Sequence, residues 1–184
     1  MEKVTSMEAG LLDLIKKRRT VREFAAQDVT DEQVRAVIGA AVTAPTRFDR
    51  QPWHLIVIRD KALQKALANT LRLGPYLETA PVLIAVFGEP DRSATWLMDC
   101  SAAIENLLLA ATALGLGGAW AGGPEANYWK PAEDLLRKAT GAPQEVRLAS
   151  LVALGVPAQT PAPHGADRWN RLRIHRGTWT GWWD

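Results

Sequence analysis

Segment 94–115 is the part of the sequence that most limits how this chain can fold. Apolar side chains recur there at three- and four-residue steps, namely Cys100, Ala103, Ile104, Leu107, Leu108, Ala111 and Leu114. This spacing predicts an α-helix. Because apolar residues cover nearly its whole circumference, we expect the helix in the middle of the molecule or at a contact between subunits. Glu105 and Asn106 within it argue against a membrane span.

The other periodic segments predict further helices and a set of strands. Helical spacing is found at 7–17, 61–70 and 130–140, and Thr30 with Gln33 forms a capping-box pattern that opens another helix before Pro45. Runs of β-branched and other apolar residues predict strands at 53–58, 81–87, 119–121 and 148–154. The run 81–87 is apolar on both faces, which is typical of a central strand.

Length and composition exclude several classes of protein. The 184 residues suit one domain, or one compact domain with an arm. A net charge of +2, from 22 basic and 20 acidic residues, is too small for a general nucleic-acid binder. The single cysteine excludes an internal disulfide and fits a reducing compartment. The first residues include Glu2 and Glu8 and no long apolar run, so we expect no signal peptide, no membrane partner and a cytoplasmic location.

Residues 16–22 concentrate positive charge where the first helical pattern ends. The segment Lys16-Lys17-Arg18-Arg19-Thr20-Val21-Arg22 holds five cations and one hydroxyl. An anion in its middle would relieve the repulsion, and arginine matches phosphate oxygens two at a time. A solvated basic face is the alternative. Thr20 and Val21 interrupt the run and Phe24 follows it, so we expect part of the segment to face a core.

Motifs for catalytic side chains are missing from the sequence. His54, His164 and His175 have no metal-ligand spacing, and we interpret His54 as a core residue of a strand and expect no metal site. There is no nucleophile elbow and no phosphate-binding loop of the Walker or dinucleotide type. The glycines at 115–118 follow a helix, which favours a C-cap and tight turn. A bound cofactor would therefore have to carry any reaction.

The last segment, 158–184, differs from the rest of the chain. It begins rich in proline and carries four tryptophans, Trp169, Trp179, Trp182 and Trp183. Exposed tryptophans would make a free tail poorly soluble. We expect them to be buried against a partner subunit, and an arm wrapped on its own domain is the alternative.

Four motifs in order resemble those of the FMN-dependent nitroreductase family. They are the segment Arg18-Arg19-Thr20-Val21-Arg22-Glu23-Phe24, the segment Ala44-Pro45-Thr46 with Gln51-Pro52-Trp53, the helix segment 106–117, and Leu154-Gly155-Val156-Pro157. The tail segment from Arg173 to Trp179 is similar to the C-terminal end of short members of the family. The resemblance covers about residues 10–180.

This resemblance implies a fold and an assembly. The family is α+β, with a mixed, mainly antiparallel sheet surrounded by helices, in a domain-crossed homodimer that holds two FMN molecules at its interface. Applied to this chain, residues 1–164 would form the FMN-binding domain. Residues 165–184 would form a C-terminal arm that is exchanged with the partner subunit.

The resemblance also implies roles for individual residues. Arg18, Arg19 and Thr20 would hold the phosphate or ribityl chain of FMN, and Arg22 would lie near N1 and O2 of its ring. Gly122 and Gly123 would offer backbone N–H groups to N5 or O4. The remaining implied cofactor-binding residues are Pro45, Thr46 and Arg47 from the other subunit, Asp49 in place of a more usual Asn, and the tail arginines Arg168 and Arg173.

The activity implied by the resemblance is ping-pong electron transfer. NADH or NADPH would reduce FMN, and a nitroaromatic, a quinone or a similar small acceptor would then be reduced in the same place. Tyr128 and Trp129 would wall the substrate space, with core packing as the alternative. Three other functions stay open: a flavin-binding or flavin-fragmenting protein without NAD(P)H turnover, a reductive dehalogenase or ene reductase of the same fold, and a small nucleic-acid-binding module.

Overall fold

The computed structural model describes residues 6–71 and 75–182 of the chain. Over these residues the helices are α1 (Ser6–Lys17), α2 (Asp31–Ala41), α3 (Lys61–Leu71), α4 (Tyr76–Thr79), α5 (Trp96–Ala113) and α6 (Lys130–Thr140). The strands are β1 (Trp53–Ile58), β2 (Val82–Gly88), β3 (Gly117–Gly122) and β4 (Arg147–Gly155). Short 3-10 turns lie at Arg47–Asp49, Ala166–Arg168 and Arg171–Arg173. The α+β class predicted for the chain is confirmed.

The four strands form one sheet in the order β1-β2-β4-β3. Every neighbouring pair is antiparallel, so our expectation of a mixed sheet is wrong for these strands. The reason is that α3 and α4 return the chain to the end of β1, which places Leu83 of β2 beside Ile58 of β1. One isolated parallel bridge joins Thr20 to Gly118 of β3. All seven residues of β2 are buried, which confirms its central position.

Each face of the sheet carries its own hydrophobic core. On one face α2 and α5 pack against the sheet, and the buried side of α5 supplies Cys100, Ile104 and Leu107. On the other face α3, α4 and α6 enclose a second core that includes Phe87 and Trp129. The long helix therefore lies within a core, as its apolar pattern predicted. It ends earlier than that pattern suggested because Leu114 leaves helical geometry and Gly115 adopts a positive φ of 73°.

The segment after β4 first runs back along the beginning of the chain. The Ala158 N–H donates to the Glu23 carbonyl at 3.0 Å, and the His164 N–H donates to the Lys16 carbonyl at 2.9 Å. Beyond this point the tryptophans are open to solvent, with Trp179 82% exposed. Trp183 lies outside the described residues. The arm boundary at residue 165 and the burial of the tail against a partner stay predictions.

Membrane insertion finds no support in the helices. Among those of residues 6–71 and 75–182, none has the length and apolar character that crossing a bilayer requires.

Candidate functional site

The basic segment is fixed to the sheet by its interrupting residues. Val21 is buried, and its N–H donates to the carbonyl of Gly118 at 2.9 Å. A Cβ on Gly117 would lie 2.5 Å from Val21 Cγ2, so glycine is needed for this close approach. Phe24 packs against the second core, which confirms that part of the segment faces a core. The backbone that carries the cations of this segment is therefore held against the sheet.

The three arginines of this segment have different neighbours. Arg18 Nε lies 3.0 Å from Glu105 Oε1 on α5. Arg19 donates to the carbonyl of Ala162, at the start of the tail. The Arg22 guanidinium lies 5.7 Å from the centre of the Tyr76 ring. Burial raises the pKa of the Tyr76 hydroxyl, and Arg22 offsets part of that rise by its charge and a hydrogen bond.

Arg168 of the tail joins the same basic group. Its Nε donates to His164 Nδ1 at 3.2 Å. The pKa of His164 is lowered by desolvation and then by the charges of Arg168, Arg19 and Arg18. A cavity of about 530 Å³ opens beside them, lined by Ile15, Lys16, His164, Gly165, Ala166 and Arg168. The structure thus brings His164 and Arg168 of the tail next to the basic segment, since the His164 N–H donates to the Lys16 carbonyl and Arg19 donates to the Ala162 carbonyl. Arg173 is exposed in the next turn.

These residues suit a phosphorylated ligand. Arg19, Arg22 and Arg168 form no ion pair with any carboxylate that the structure describes. Thr20 and Arg22 also line a cavity of about 190 Å³, adjacent to Gln159 and Pro161. Positive charge without a carboxylate partner, together with a hydroxyl, is the donor set that a phosphate ester and a polyol chain require. The residues therefore fit FMN.

The second motif forms a loop at the N-terminus of α5. The Arg47 N–H donates to Asp99 Oδ1 at 3.3 Å, and Thr46 Oγ1 accepts from the Gln51 N–H at 3.2 Å. Pro45 is exposed at the start of the loop. The Asp99 carboxylate is 5% exposed and also accepts from Ser93 Oγ at 2.7 Å. Sequence reasoning missed Asp99, although an aspartate four residues after Thr95 in an apolar helical pattern was a visible signal.

Gly122 and Gly123 lie at the end of β3. A Cβ on Gly123 would lie 2.5 Å from the hydroxyl of Tyr128, which is half exposed. Trp129 is fully buried, and its Nε1 donates to the carbonyl of Leu148 at 2.7 Å. The alternative of core packing is therefore correct for Trp129. Tyr128 remains available beside the two glycines.

One chain presents these groups as separate patches. Arg18 and the Arg47 backbone contact α5 at Glu105 and Asp99. Asp99 and Glu105 are six positions apart in α5, which corresponds to about 9 Å along the helix axis and about 240° around it. Thr20 pairs with Gly118 near the start of β3, and Gly123 follows the end of that strand. The length of the strand therefore separates Thr20 from Gly123 by roughly 15 Å. The basic group is thus complete within a chain, whereas the 45–51 loop lies elsewhere.

The side chains of His54 and Cys100 lie in opposite environments, one exposed and one buried. His54 is exposed, and its Nε2 lies 3.0 Å from Glu89 Oε1, so our interpretation of it as a core residue is wrong. The reason is that β1 is an edge strand in which Trp53 faces the first core, so the next side chain, His54, lies on the opposite face of the sheet, where it is exposed. Burial, with a smaller contribution from Asp99, raises the pKa of the Cys100 thiol to about 12, which makes it a poor nucleophile. The described residues hold no cluster of three or more metal-ligating groups.

The fold and these motifs identify a class of protein. Residues 15–74 and 69–156 match the nitroreductase family. The chain therefore belongs to the nitroreductase family.

Individual relatives agree with this assignment. A candidate NADH dehydrogenase/NAD(P)H nitroreductase of Archaeoglobus fulgidus is 37% identical over 174 residues, which cover 91% of this chain and 98% of that protein. A crystal structure of a protein of the same description from Parabacteroides distasonis has a TM-score of 0.85 and 30% identity, and covers 92% of this chain and 99% of its own. A candidate nitroreductase from Desulfovibrio desulfuricans, crystallised in complex with FMN, has a TM-score of 0.73 and 30% identity, with 86% and 93% coverage.

Proposed function

We propose that the protein is an FMN-dependent oxidoreductase that uses NADH or NADPH to reduce small acceptors such as quinones and nitroaromatic compounds. For a quinone the balance is NAD(P)H, one proton and the quinone giving NAD(P)⁺ and the hydroquinone. The observation that carries the proposal is the return of the tail to the basic segment, where His164 and Arg168 lie beside Lys16 and where Arg19 donates to the Ala162 carbonyl. Membership of the nitroreductase family supports it.

The basic group would bind the phosphate end of FMN. Arg18 and Arg19 would neutralise the phosphate, with Arg168 from the tail as the third cation, and the Thr20 hydroxyl would hold the ribityl chain. Arg173 remains a second candidate for the tail contact, since it is exposed. The Arg22 guanidinium would supply fixed positive charge near the ring. FMN, when bound, supplies the hydride-accepting and hydride-donating chemistry that no side chain of this site offers.

A homodimer would complete the site. Pro45, Thr46 and Arg47 lie on a different side of α5 from the basic group, so one chain does not bring them to its own cofactor. A second copy would present its own 45–51 loop, with Asp49, beside that cofactor. Gly122 and Gly123 would offer backbone N–H groups, because the absence of a Cβ permits close approach. The same place would receive donor and acceptor in turn, which is ping-pong turnover.

Binding of FMN and of riboflavin to the same protein tests this proposal. Riboflavin lacks the phosphate, so we expect FMN to bind more tightly, and NADH or NADPH oxidation to require FMN and an acceptor. Arg18→Ala should weaken FMN binding by about 2 kcal/mol and leave riboflavin binding nearly unchanged, because a charge-assisted contact is lost. Arg35→Ala, at an exposed site on α2, is the matched control.

The outcomes separate the proposed function from its alternatives. Equal affinity for FMN and riboflavin would contradict the phosphate site. FMN bound tightly, with no NAD(P)H oxidation in the presence of quinones and nitroaromatic compounds, would favour a flavin-handling protein without turnover. A colourless protein that cannot be reconstituted would remove the flavin proposal altogether.

A further inference from the structure

The loop of residues 47–50 presents an exposed aromatic ring close to two guanidinium groups. The Phe48 side chain is 78% exposed. The Cζ atoms of Arg47 and Arg50 lie 5.2 Å and 5.8 Å from the centre of its ring. A large apolar side chain that is this open to water has not been used by the core of its own chain.

The backbone of this loop is strained and firmly held. Phe48, Asp49 and Gln51 have φ of 52°, 53° and 45°, in the left-handed region that costs a non-glycine residue about 1–2 kcal/mol. At one end the Arg47 N–H is bound to Asp99. At the other end Arg50 NH1 donates to the Arg92 carbonyl at 2.8 Å, and Arg92 donates in return to the Arg50 carbonyl. Strain of this kind, held in place by surrounding contacts, concentrates at ligand sites.

The charge of the loop is available to a ligand. Arg47 and Arg50 form no ion pair with any carboxylate in the described part of the chain. The neighbouring carboxylate of Asp49 accepts from Gln51 Nε2 at 2.9 Å and forms no ion pair with either arginine in the described part of the chain. The carbonyl that Arg50 contacts is neutral. Both guanidinium groups near the ring are therefore outside the ion pairs that the structure describes.

We propose that the 47–50 loop recognises the electron acceptor, and that the acceptor is a planar aromatic compound carrying an anionic substituent such as a carboxylate or sulfonate. The ring of the acceptor would stack on Phe48, and its anionic group would contact Arg47 or Arg50. This inference rests on the proposed function, in which the loop lies beside the cofactor of the partner subunit. It adds the substrate class, and it assigns three specificity-determining residues.

Equilibrium binding of two unreactive probes tests the recognition without any turnover. 2-Naphthoate and 2-naphthamide share a ring system and differ in charge. We expect the FMN-loaded protein to bind the naphthoate more tightly by calorimetry. Because Arg50→Gln also removes the hydrogen bond to the Arg92 carbonyl that holds the loop, the two probes are compared as a ratio of affinities. Arg47→Gln and Arg50→Gln should each lower the ratio of naphthoate affinity to naphthamide affinity about fivefold, because a charged contact is removed. Arg35→Gln, outside the loop, should change neither affinity.

The aromatic part of the proposal is tested by Phe48 itself. Phe48→Ala should weaken both probes by a similar factor, about fivefold, while Phe48→Tyr should keep both, since the stacking surface is retained. Raising the salt concentration should reduce the preference of the wild-type protein for the naphthoate and leave its binding of naphthamide unchanged. Equal affinity for the two probes, or a preference that survives both arginine substitutions, would overturn the inference.

A nicotinamide dinucleotide also combines planar rings with negative charge, so the two half-reactions are measured separately. Reoxidation of the reduced protein by 4-nitrobenzoate and by its methyl ester reports on the acceptor, and reduction by NADH and NADPH reports on the donor. We expect Arg50→Gln to lower the rate for 4-nitrobenzoate relative to the ester about fivefold and to leave the donor rates unchanged. The reverse pattern would overturn the acceptor assignment.

The remaining outcomes separate this inference from its foundation. If Phe48→Ala turns a dimer into a monomer, the ring belongs to a subunit contact and the inference is wrong. If the probes bind as described and no donor or acceptor reacts, the proposed function fails and the recognition loop stands.

Discussion

At the scale of single residues, Asp99 connects the helix scaffold to the candidate site. Its carboxylate accepts hydrogen bonds from Ser93 Oγ at 2.7 Å, from Thr95 Oγ1 at 3.3 Å and from the Arg47 N–H at 3.3 Å. It is 5% exposed and lies in the first turn of α5, where the helix dipole favours negative charge. The position of the 45–51 loop therefore depends on a buried side chain of α5.

Substitution of Asp99 should loosen that loop in proportion to the acceptors that are lost. Asp99→Ala removes the carboxylate that the Arg47 N–H contacts, while the Ser93 and Thr95 hydroxyls still contact each other at 3.1 Å. It should lower the free energy of unfolding by about 2 kcal/mol, whereas Asp99→Asn keeps one acceptor and should cost about half of that. Native-state trypsin cleavage at the exposed Arg47 and Arg50 should accelerate in the same order. Urea unfolding and peptide mapping measure the two effects.

The control for Asp99 is Ser101→Ala on the same helix. Its hydroxyl donates only to the carbonyl of Leu97, one turn back, so the loop should be unaffected. Cleavage at Arg47 that is equally fast in all of these variants would contradict the positioning role of Asp99.

At the scale of elements, the start of β3 supports the basic segment. Gly117 and Gly118 lie in the strand, and not in the turn that we predicted from their position after a helix. Side-chain atoms of Val21 approach the first of them, and Leu108 Cδ2 would lie 2.6 Å from a Cβ on the second. Because the two glycines have no side chain, the segment with Arg18 and Thr20 lies directly on the sheet.

Gly117→Ala should therefore disturb both the fold and the cofactor site. The new Cβ would lie 2.5 Å from Val21 Cγ2, and relief requires movement of the basic segment. We expect the free energy of unfolding to fall by about 1–3 kcal/mol, as for other overpacked sites, and FMN affinity to fall as well. Gly39→Ala in α2 is the control, since no atom lies within 4 Å of its Cβ position, and it should raise stability by about 0.5–1 kcal/mol. FMN binding unchanged in Gly117→Ala would show that the segment is not positioned from β3.

The elements that the sequence predicted well are those fixed by neighbouring residues. Thr30 and Gln33 form the predicted capping box, with hydrogen bonds of 3.0 Å and 3.2 Å, and Gly141 ends α6 with a φ of 74°. The surroundings of His54 and Asp99 depend instead on which distant segments lie beside them. The local periodicity of a strand or helix does not contain that information. The φ of 52° at Phe48 is likewise imposed by contacts at both ends of its loop, because phenylalanine itself disfavours it.

The same distinction applies to the candidate site. Resemblance to a family indicated Arg18 and Arg168, while spacing alone did not connect two residues that are 150 positions apart. The hydrogen bonds that bring the tail back to α1 place Arg168 and His164 beside the basic segment. The 45–51 loop, which the resemblance assigns to the other subunit, lies at the N-terminus of α5.

At the scale of the whole molecule, the tail leaves apolar surface without cover. Trp169, Leu172 and Trp179 are 60%, 70% and 82% exposed, whereas the preceding segment is hydrogen-bonded to α1 and to the basic segment. Burying a side chain of this kind contributes about 1.5–3 kcal/mol, so three of them are a substantial part of a subunit interface. The tail therefore offers apolar surface that the proposed homodimer would cover.

Loss of the tail should therefore weaken the dimer and the cofactor site together. We expect the full chain to sediment as a dimer, and a chain ending at residue 164 to dissociate at concentrations where the full chain does not. That deletion also removes Arg168, so the double variant Trp169→Ser with Trp179→Ser isolates the apolar contribution. It should weaken dimerisation by about 2–4 kcal/mol. This is less than two fully buried side chains would contribute, because neither ring is fully exposed in the single chain. Lys138→Ser, on the exposed side of α6, is the control. A truncated chain that stays fully dimeric and loaded with FMN would contradict the exchanged arm, and would require the tryptophans to serve a partner other than this protein.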